Sequence, residues 1–142
     1  MKRIVILFLA ALFAASGASA QKFHNAYYDT RRAAHDEEGL QQGAIVFLGN
    51  SITEQGWWSL LLKRGDVENR GIGGDCVSGM IARLETILSG KPKAMFIMAG
   101  TNDLIFSKTS YEKLLEQYER MLDIIARESP RTKVYIQSLL PL

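Results

Sequence analysis

The chain has 142 residues, 47% of them hydrophobic and 23% charged, which suits one globular domain and excludes a disordered or low-complexity chain. Its formal net charge is only +2, and no basic face is apparent that would point to nucleic acid. Cys76 is the only cysteine, so no internal disulfide is possible, and a small buried side chain is expected there rather than a catalytic thiol.

Lys2 and Arg3 precede an almost wholly apolar run over 4–13, and Ala18-Ser19-Ala20 stands before Gln21. A basic start, a short apolar core and a small-x-small end form the pattern of a cleaved secretory signal. The run is too short to span a bilayer comfortably, and no cysteine near the cut offers a lipid attachment point. The expectation is a signal over residues 1–20, a mature chain from Gln21, and a periplasmic or secreted product without a stable membrane anchor. Removing Lys2 and Arg3 from the 17 basic residues leaves them equal in number to the 15 acidic ones, so the excess positive charge belongs to the signal.

Residues 25–40 read as a polar lead-in helix, with Gly39 and Gly43 punctuating its end. Its two histidines, His24 and His35, are expected on the surface. Residues 44–48 form a continuous apolar run, expected to be a strand covered on both faces. A helix is expected over 55–64, stopped at Gly65, with one of Trp57 and Trp58 packed on the sheet and the other partly exposed. Residues 66–69 are a weaker strand. The spacing of Val77, Met80, Ile81, Leu84, Ile87 and Leu88 predicts one amphipathic helix over 75–89, with Asp75 as N-cap and Gly90 and Pro92 as its end. Residues 94–99 are a second apolar run in which Met95 and Met98 are core residues. Thr109 and Glu112 have capping-box spacing at the start of a long helix over 110–128, whose stripe is Leu114, Leu115, Tyr118, Met121, Leu122 and Ile125. A fourth strand follows over 133–139.

Strands alternating with helices imply a parallel sheet with helices on both faces. In open sheets of this kind, ligands bind beyond the carboxyl ends of the strands. Three polar clusters fall there: Gly49-Asn50-Ser51, then 69–75 (Asn-Arg-Gly-Ile-Gly-Gly-Asp), then Gly100-Thr101-Asn102-Asp103. Each alone is turn composition; together they converge on one site. A serine at a strand-to-helix turn projects its hydroxyl from a rigid support, and the helix N-terminus favours developing negative charge. A glycine lets a backbone N–H approach an oxyanion closely, and an asparagine offers an amide N–H. Gly74 and Asn102 suit those tasks. Asp103 is expected to hold the turn around Asn102, and Arg70 to lie on the surface.

These blocks resemble the SGNH hydrolases, also called the GDSL-like lipase/acylhydrolase superfamily. Gly49-Asn50-Ser51-Ile52-Thr53 matches the first block, Asn69-Arg70-Gly71 running into Gly73-Gly74-Asp75 the second, and Gly100-Thr101-Asn102-Asp103 the third. The resemblance covers about residues 44–142. It implies a three-layer α/β/α sandwich with a parallel, flavodoxin-like sheet, here C-terminally incomplete. It implies Ser51 as nucleophile, and the Ser51 and Gly74 N–H groups with the Asn102 side chain as oxyanion hole. Asn50 replaces the usual aspartate and can make similar turn hydrogen bonds without charge. The last block, Asp-x-x-His, is absent, since both histidines precede Ser51; a serine without a base is a weak nucleophile. Residues 21–142 therefore read as the front part of an esterase domain, inactive alone.

The expected activity is hydrolysis of acetyl or other short-acyl esters, on a small molecule or a glycan. The competing expectation is a non-catalytic ligand-binding module of the same fold. A dinucleotide site at Gly71-Ile72-Gly73-Gly74 fails on spacing, because Cys76 stands where the third glycine belongs. No cofactor or metal is expected, and nothing in the sequence sets an oligomeric state.

Overall fold

A computed structural model of the protein describes residues 25–139; the expected signal over 1–20 and His24 lie outside them. In chain order the elements are α1 (Ala26–Glu38), β1 (Ile45–Gly49), α2 (Ser51–Glu54), α3 (Trp58–Leu62), β2 (Val67–Gly71), α4 (Val77–Ala82), α5 (Leu84–Ser89), β3 (Ala94–Met98), α6 (Thr101–Ile105), α7 (Tyr111–Glu128) and β4 (Lys133–Ile136). The sheet is four-stranded in the order β2-β1-β3-β4, and every pairing is parallel. No helix among the described residues is long and apolar enough to cross a membrane.

Side chains alternate along each strand, and the alternation assigns the layers. Val46, Leu48, Met95 and Ile97 point to one face, where α4, α5 and α7 bury Val77, Met80, Leu84, Ile87, Leu88, Leu114, Met121 and Ile125 against them. Each such side chain contributes about 1.5–3 kcal/mol on burial. Phe47, Asn69, Phe96 and Tyr135 take the opposite face, where α2 and α3 pack. There Trp58, Phe47, Phe96 and Tyr135 stack in one near-parallel ladder with centroid spacings of 4.3, 5.0 and 4.7 Å. Trp58 is thus the packed tryptophan, and Trp57 is 73% exposed. The strands are not all covered on both faces: Phe96, Tyr135 and Ile136 are exposed.

Several expectations are corrected. The helix predicted over 75–89 is broken at Arg83, whose backbone leaves helical geometry at φ −118° and ψ 10°. The break coincides with a guanidinium that turns to the sheet end, donating to Arg70 O at 2.7 Å and Gly49 O at 3.3 Å. The helix predicted over 55–64 is shorter, α3 starting only at Trp58, and a separate turn of helix, α2, precedes it. Asn69 Nδ2 takes the carbonyls of Thr53, Glu54 and Gly56 at 2.9–3.0 Å, so these oxygens are withdrawn from helix propagation. Lys63, in the left-handed region at φ 51°, caps α3, before the expected stop at Gly65. The N-cap of α7 is Ser110, which accepts from Lys113 N–H, rather than Thr109. Leu115, counted in its stripe, is exposed, and Met98 is half-buried.

Arg70 and His35 are also buried, not superficial. Arg70 is 3% exposed and is held by Glu38, Glu68 and the Gly39 carbonyl. His35 is 6% exposed, in a small cavity lined by Arg32, Leu40, Arg70 and Arg83.

Candidate active site

The carboxyl ends of β1, β2 and β3 lie side by side, with Gly49 in register with Gly71 and with Met98. The strand order places β1 between β2 and β3, so the chain reverses its direction of travel there. Such a switch point opens a crevice between the loops that follow the two strands. Ser51 follows β1 and Asn102 follows β3, so both stand at this crevice.

Ser51 is the first residue of α2. Asn50 is its N-cap, with Oδ1 accepting from Ile52 N–H at 3.1 Å. The neutral amide at position 50 therefore makes the turn bond expected of it. α2 folds back tightly onto the strand ends because positions 49 and 71 are glycine. A Cβ on Gly71 would overlap the Glu54 backbone, and one on Gly49 would overlap Thr53 and the Met98 carbonyl. Ser51 itself is half-buried, between closed core and open crevice.

Gly74 is exposed and has φ +76°, a left-handed conformation that favours glycine. Asn102 is 8% exposed. Its Nδ2 donates to Asp75 O at 2.9 Å, which ties the third loop to the residue after Gly74. An asparagine –NH₂ carries a second hydrogen beside the one given to Asp75 O.

Asp75 does not cap α4 as expected. It accepts from Cys76 N–H at 2.9 Å, and its Oδ2 receives Arg83 Nε at 3.0 Å and Nη2 at 2.8 Å. Burial pushes the Asp75 carboxyl up to about 6, against the opposing pull of Arg83. The first turn of α4 is capped across the crevice by Asp103, whose two carboxylate oxygens each lie 3.2 Å from Val77 N. Asp103 is thus a bridge between the second and third loops rather than a brace of its own turn alone. Burial raises its pKa as well.

Cys76 is buried, as expected. Burial raises its thiol to about 11, so it stays protonated and inert. His35 does not reach Ser51: its Nε2 lies 3.5 Å from Arg31 Nη2. Among the described residues no group of three or more His, Cys, Asp or Glu side chains could hold a metal ion. Sequence reasoning missed Arg83 and Glu54, and it placed Asn69 in the second polar cluster without giving it a task. Asn69 and Arg83 shape the loops from beneath, and their signal was weak, since a lone Asn at a strand and an Arg in an amphipathic stripe are common.

The fold is shared with solved proteins. A Streptococcus pneumonia protein provisionally named a platelet activating factor is 26% identical, with a TM-score of 0.68, over 81% of this chain and 54% of its own. A Bacteroides fragilis NCTC 9343 protein provisionally named an acylhydrolase is 25% identical, with a TM-score of 0.66, over 83% of this chain and 61% of its own. A GDSL-like lipase from Bacteroides thetaiotaomicron VPI-5482 is 26% identical, with a TM-score of 0.64, over 80% of this chain and 58% of its own. The chain therefore spans little more than half the length of these relatives. Comparison with the curated proteins gives no match. The GDSL-like lipase/acylhydrolase family matches residues 47–142, a span that contains Ser51, Gly74 and Asn102 together with the strands that position them, and the chain belongs to that family.

Proposed function

We propose that this chain carries the nucleophile and oxyanion half of an exported serine esterase that removes acetyl or other short acyl groups from a small ester or a glycan. One observation carries the reading. Ser51, the Gly74 loop and Asn102 stand at the carboxyl ends of three adjacent parallel strands, and Asn102 is bonded to the carbonyl next to Gly74. Family membership supports hydrolysis. The residue pattern of 1–20 supports export, and export in turn favours a glycan ester.

In this reading the Ser51 hydroxyl attacks the ester carbonyl, and its proton passes to a base and then to the departing alcohol. The Ser51 and Gly74 N–H groups and Asn102 Nδ2 receive the negative oxygen of the tetrahedral intermediate. Water then attacks the acyl-serine by the same route and releases the acid. The base and its orienting carboxylate are the Asp-x-x-His pair of the resembled family, which we place beyond residue 142. The shares of 54%, 61% and 58% of the relatives' lengths leave room for it.

A second reading, a ligand-binding module of the same fold, draws on the position of His35, which is buried beside Arg31 rather than Ser51. One experiment separates the two. Protein recovered from its host, with a mature N-terminus expected at Gln21, is assayed on an activated acetate ester and with a fluorophosphonate. Hydrolysis and covalent labelling should both vanish in a folded Ser51→Ala variant. Retention of most activity would sink the assignment, and absence of both signals from the unaltered protein would favour the binding module. An unprocessed N-terminus would remove export.

A further inference from the structure

α1 precedes the residues matched by the family, yet it grips the helix that begins with Ser51. Tyr27 Oη donates to Glu54 Oε1 at 2.7 Å, and Arg31 Nε donates to the same oxygen at 3.0 Å. Glu54 is the last residue of α2. A single helical turn cannot maintain itself, so the pose of α2 depends on what holds its two ends. Asn50 holds the first end. Asn69, from the strand beneath, and Glu54 hold the second.

The same cluster touches the oxyanion side of the crevice. A Cβ on Gly73 would stand 3.1 Å from Glu54 Oε2 and 3.2 Å from the Tyr27 ring. Gly73 is thus seated against both side chains, directly before Gly74. α1 is itself anchored at points distant from α2. Tyr28 Oη donates to Gly79 O at 2.8 Å, Glu38 pairs with Arg70 at 2.8 Å, and Asp36 accepts from Thr86 Oγ1 at 2.7 Å. An isolated surface ion pair orders little. Here the Glu54 side chain is only 16% exposed and one of its oxygens takes two donors, which sets this contact apart. Arg31 also offsets a carboxylate placed one turn from a serine at which negative charge would develop.

We propose that Tyr27, Arg31 and Glu54 form a clamp through which α1 sets the spacing between the Ser51 helix and the Gly74 loop. They are positioning residues, and the proposal rests on the reading of Ser51 and Gly74 as nucleophile and oxyanion donor. Its test is residue-level amide exchange in the intact protein, read at Ile52, Glu54, Gln55 and Asp75. These amides are bonded to Asn50 Oδ1, Asn50 O, Ser51 O and Ile72 O. Tyr27→Phe and Arg31→Met should each speed exchange there by about tenfold, the effect of losing one charge-assisted bond from a locally opening unit. Thr86→Val, which loosens α1 at its other end, should leave these four amides unchanged. No change at the four amides, or an equal rise in the Thr86→Val control, would overturn the clamp. In the ester assay Tyr27→Phe should lower kcat with KM unchanged, and should add nothing to a Glu54→Ala variant, which has already lost the acceptor. Faster exchange with an unaltered Ser51-dependent kcat would overturn the positioning role. If Ser51→Ala leaves hydrolysis intact, the catalytic reading falls while the exchange pattern still decides the clamp.

Discussion

Asn102 has two tasks that mutation can separate. Its Nδ2 supports the Asp75 carbonyl, and its second amide hydrogen is the proposed oxyanion donor. Asn102→Ala should lower kcat by roughly 10²–10³ with little change in KM. The same change strands a buried carbonyl, at about 1–3 kcal/mol of stability. Thermal unfolding measured beside kcat tells the two apart: lower stability with normal turnover per folded molecule would leave Asn102 as a brace only. His35 gives a pH signature. Burial first, then the positive charges of Arg70, Arg83 and Arg31, lower its pKa to about 4, and its Nδ1 has no hydrogen-bond partner. The folded protein therefore binds fewer protons than the unfolded chain between about pH 6.5 and 4. Stability should fall as pH drops through that window, by up to about 3 kcal/mol in the acid limit. His35→Phe should flatten this part of the Tm-against-pH curve; an unchanged acid limb would show that His35 does not titrate as its burial demands.

At the scale of elements, the short helices around the crevice are held by side chains from elsewhere in the fold. α2 is one turn, α4 and α5 are six residues each, and none is long enough to be stable alone. α4 lacks a cap from its own N-cap residue, Cys76, and receives one from Asp103. Asp103→Ala should therefore cost about 1–2 kcal/mol, the usual loss of an N-cap, and should destabilise α4 before α7. Amide exchange at Met80, bonded to Cys76 O, reports the first turn of α4. Equal loss of protection throughout the molecule would argue that Asp103 braces the whole fold instead.

At the scale of the molecule, the two faces of the sheet differ. One is closed by α4, α5 and α7. The other carries the aromatic ladder beside a cavity of about 380 Å³ that runs from Ile52 and Thr53 to Tyr135 and Gln137. β4 is the last strand in the described sheet, and Tyr135 and Ile136 on it are exposed. An edge of this kind pairs readily with other chains. Residues 21–142 produced alone should therefore associate as concentration rises, and Ile136→Lys should suppress this in sedimentation or light scattering. A strictly monomeric short chain at all concentrations would contradict the prediction.

The class of fold and the placement of Ser51, Gly74 and Asn102 at strand ends were legible in the sequence because both rest on local pattern. Apolar runs of strand length, stripes at helical spacing, and Gly-Asn-Ser, Gly-Gly-Asp and Gly-Thr-Asn-Asp at strand ends need no knowledge of what packs where. The four strands appear within a few residues of their expected bounds, and Ser51, Gly74 and Asn102 lie at the ends of adjacent strands as the pattern required. What only the tertiary structure decided are the partners of polar and charged groups. Arg70 and His35 read as surface residues because charge and polarity are normally solvated; Arg70 is buried with Glu38 of α1, 32 residues away in sequence, as well as with its neighbour Glu68, and His35 is buried against Leu40, Arg70 and Arg83. The cap of α4 passed from Asp75 to Asp103 because Arg83 claims the nearer carboxylate. The helix expected from 55 begins only at Trp58 because Asn69, a strand residue, takes the Thr53, Glu54 and Gly56 carbonyls that helix amides would have used. Periodicity records which side chains leave water, whereas a hydrogen bond across the fold depends on where two separate loops meet.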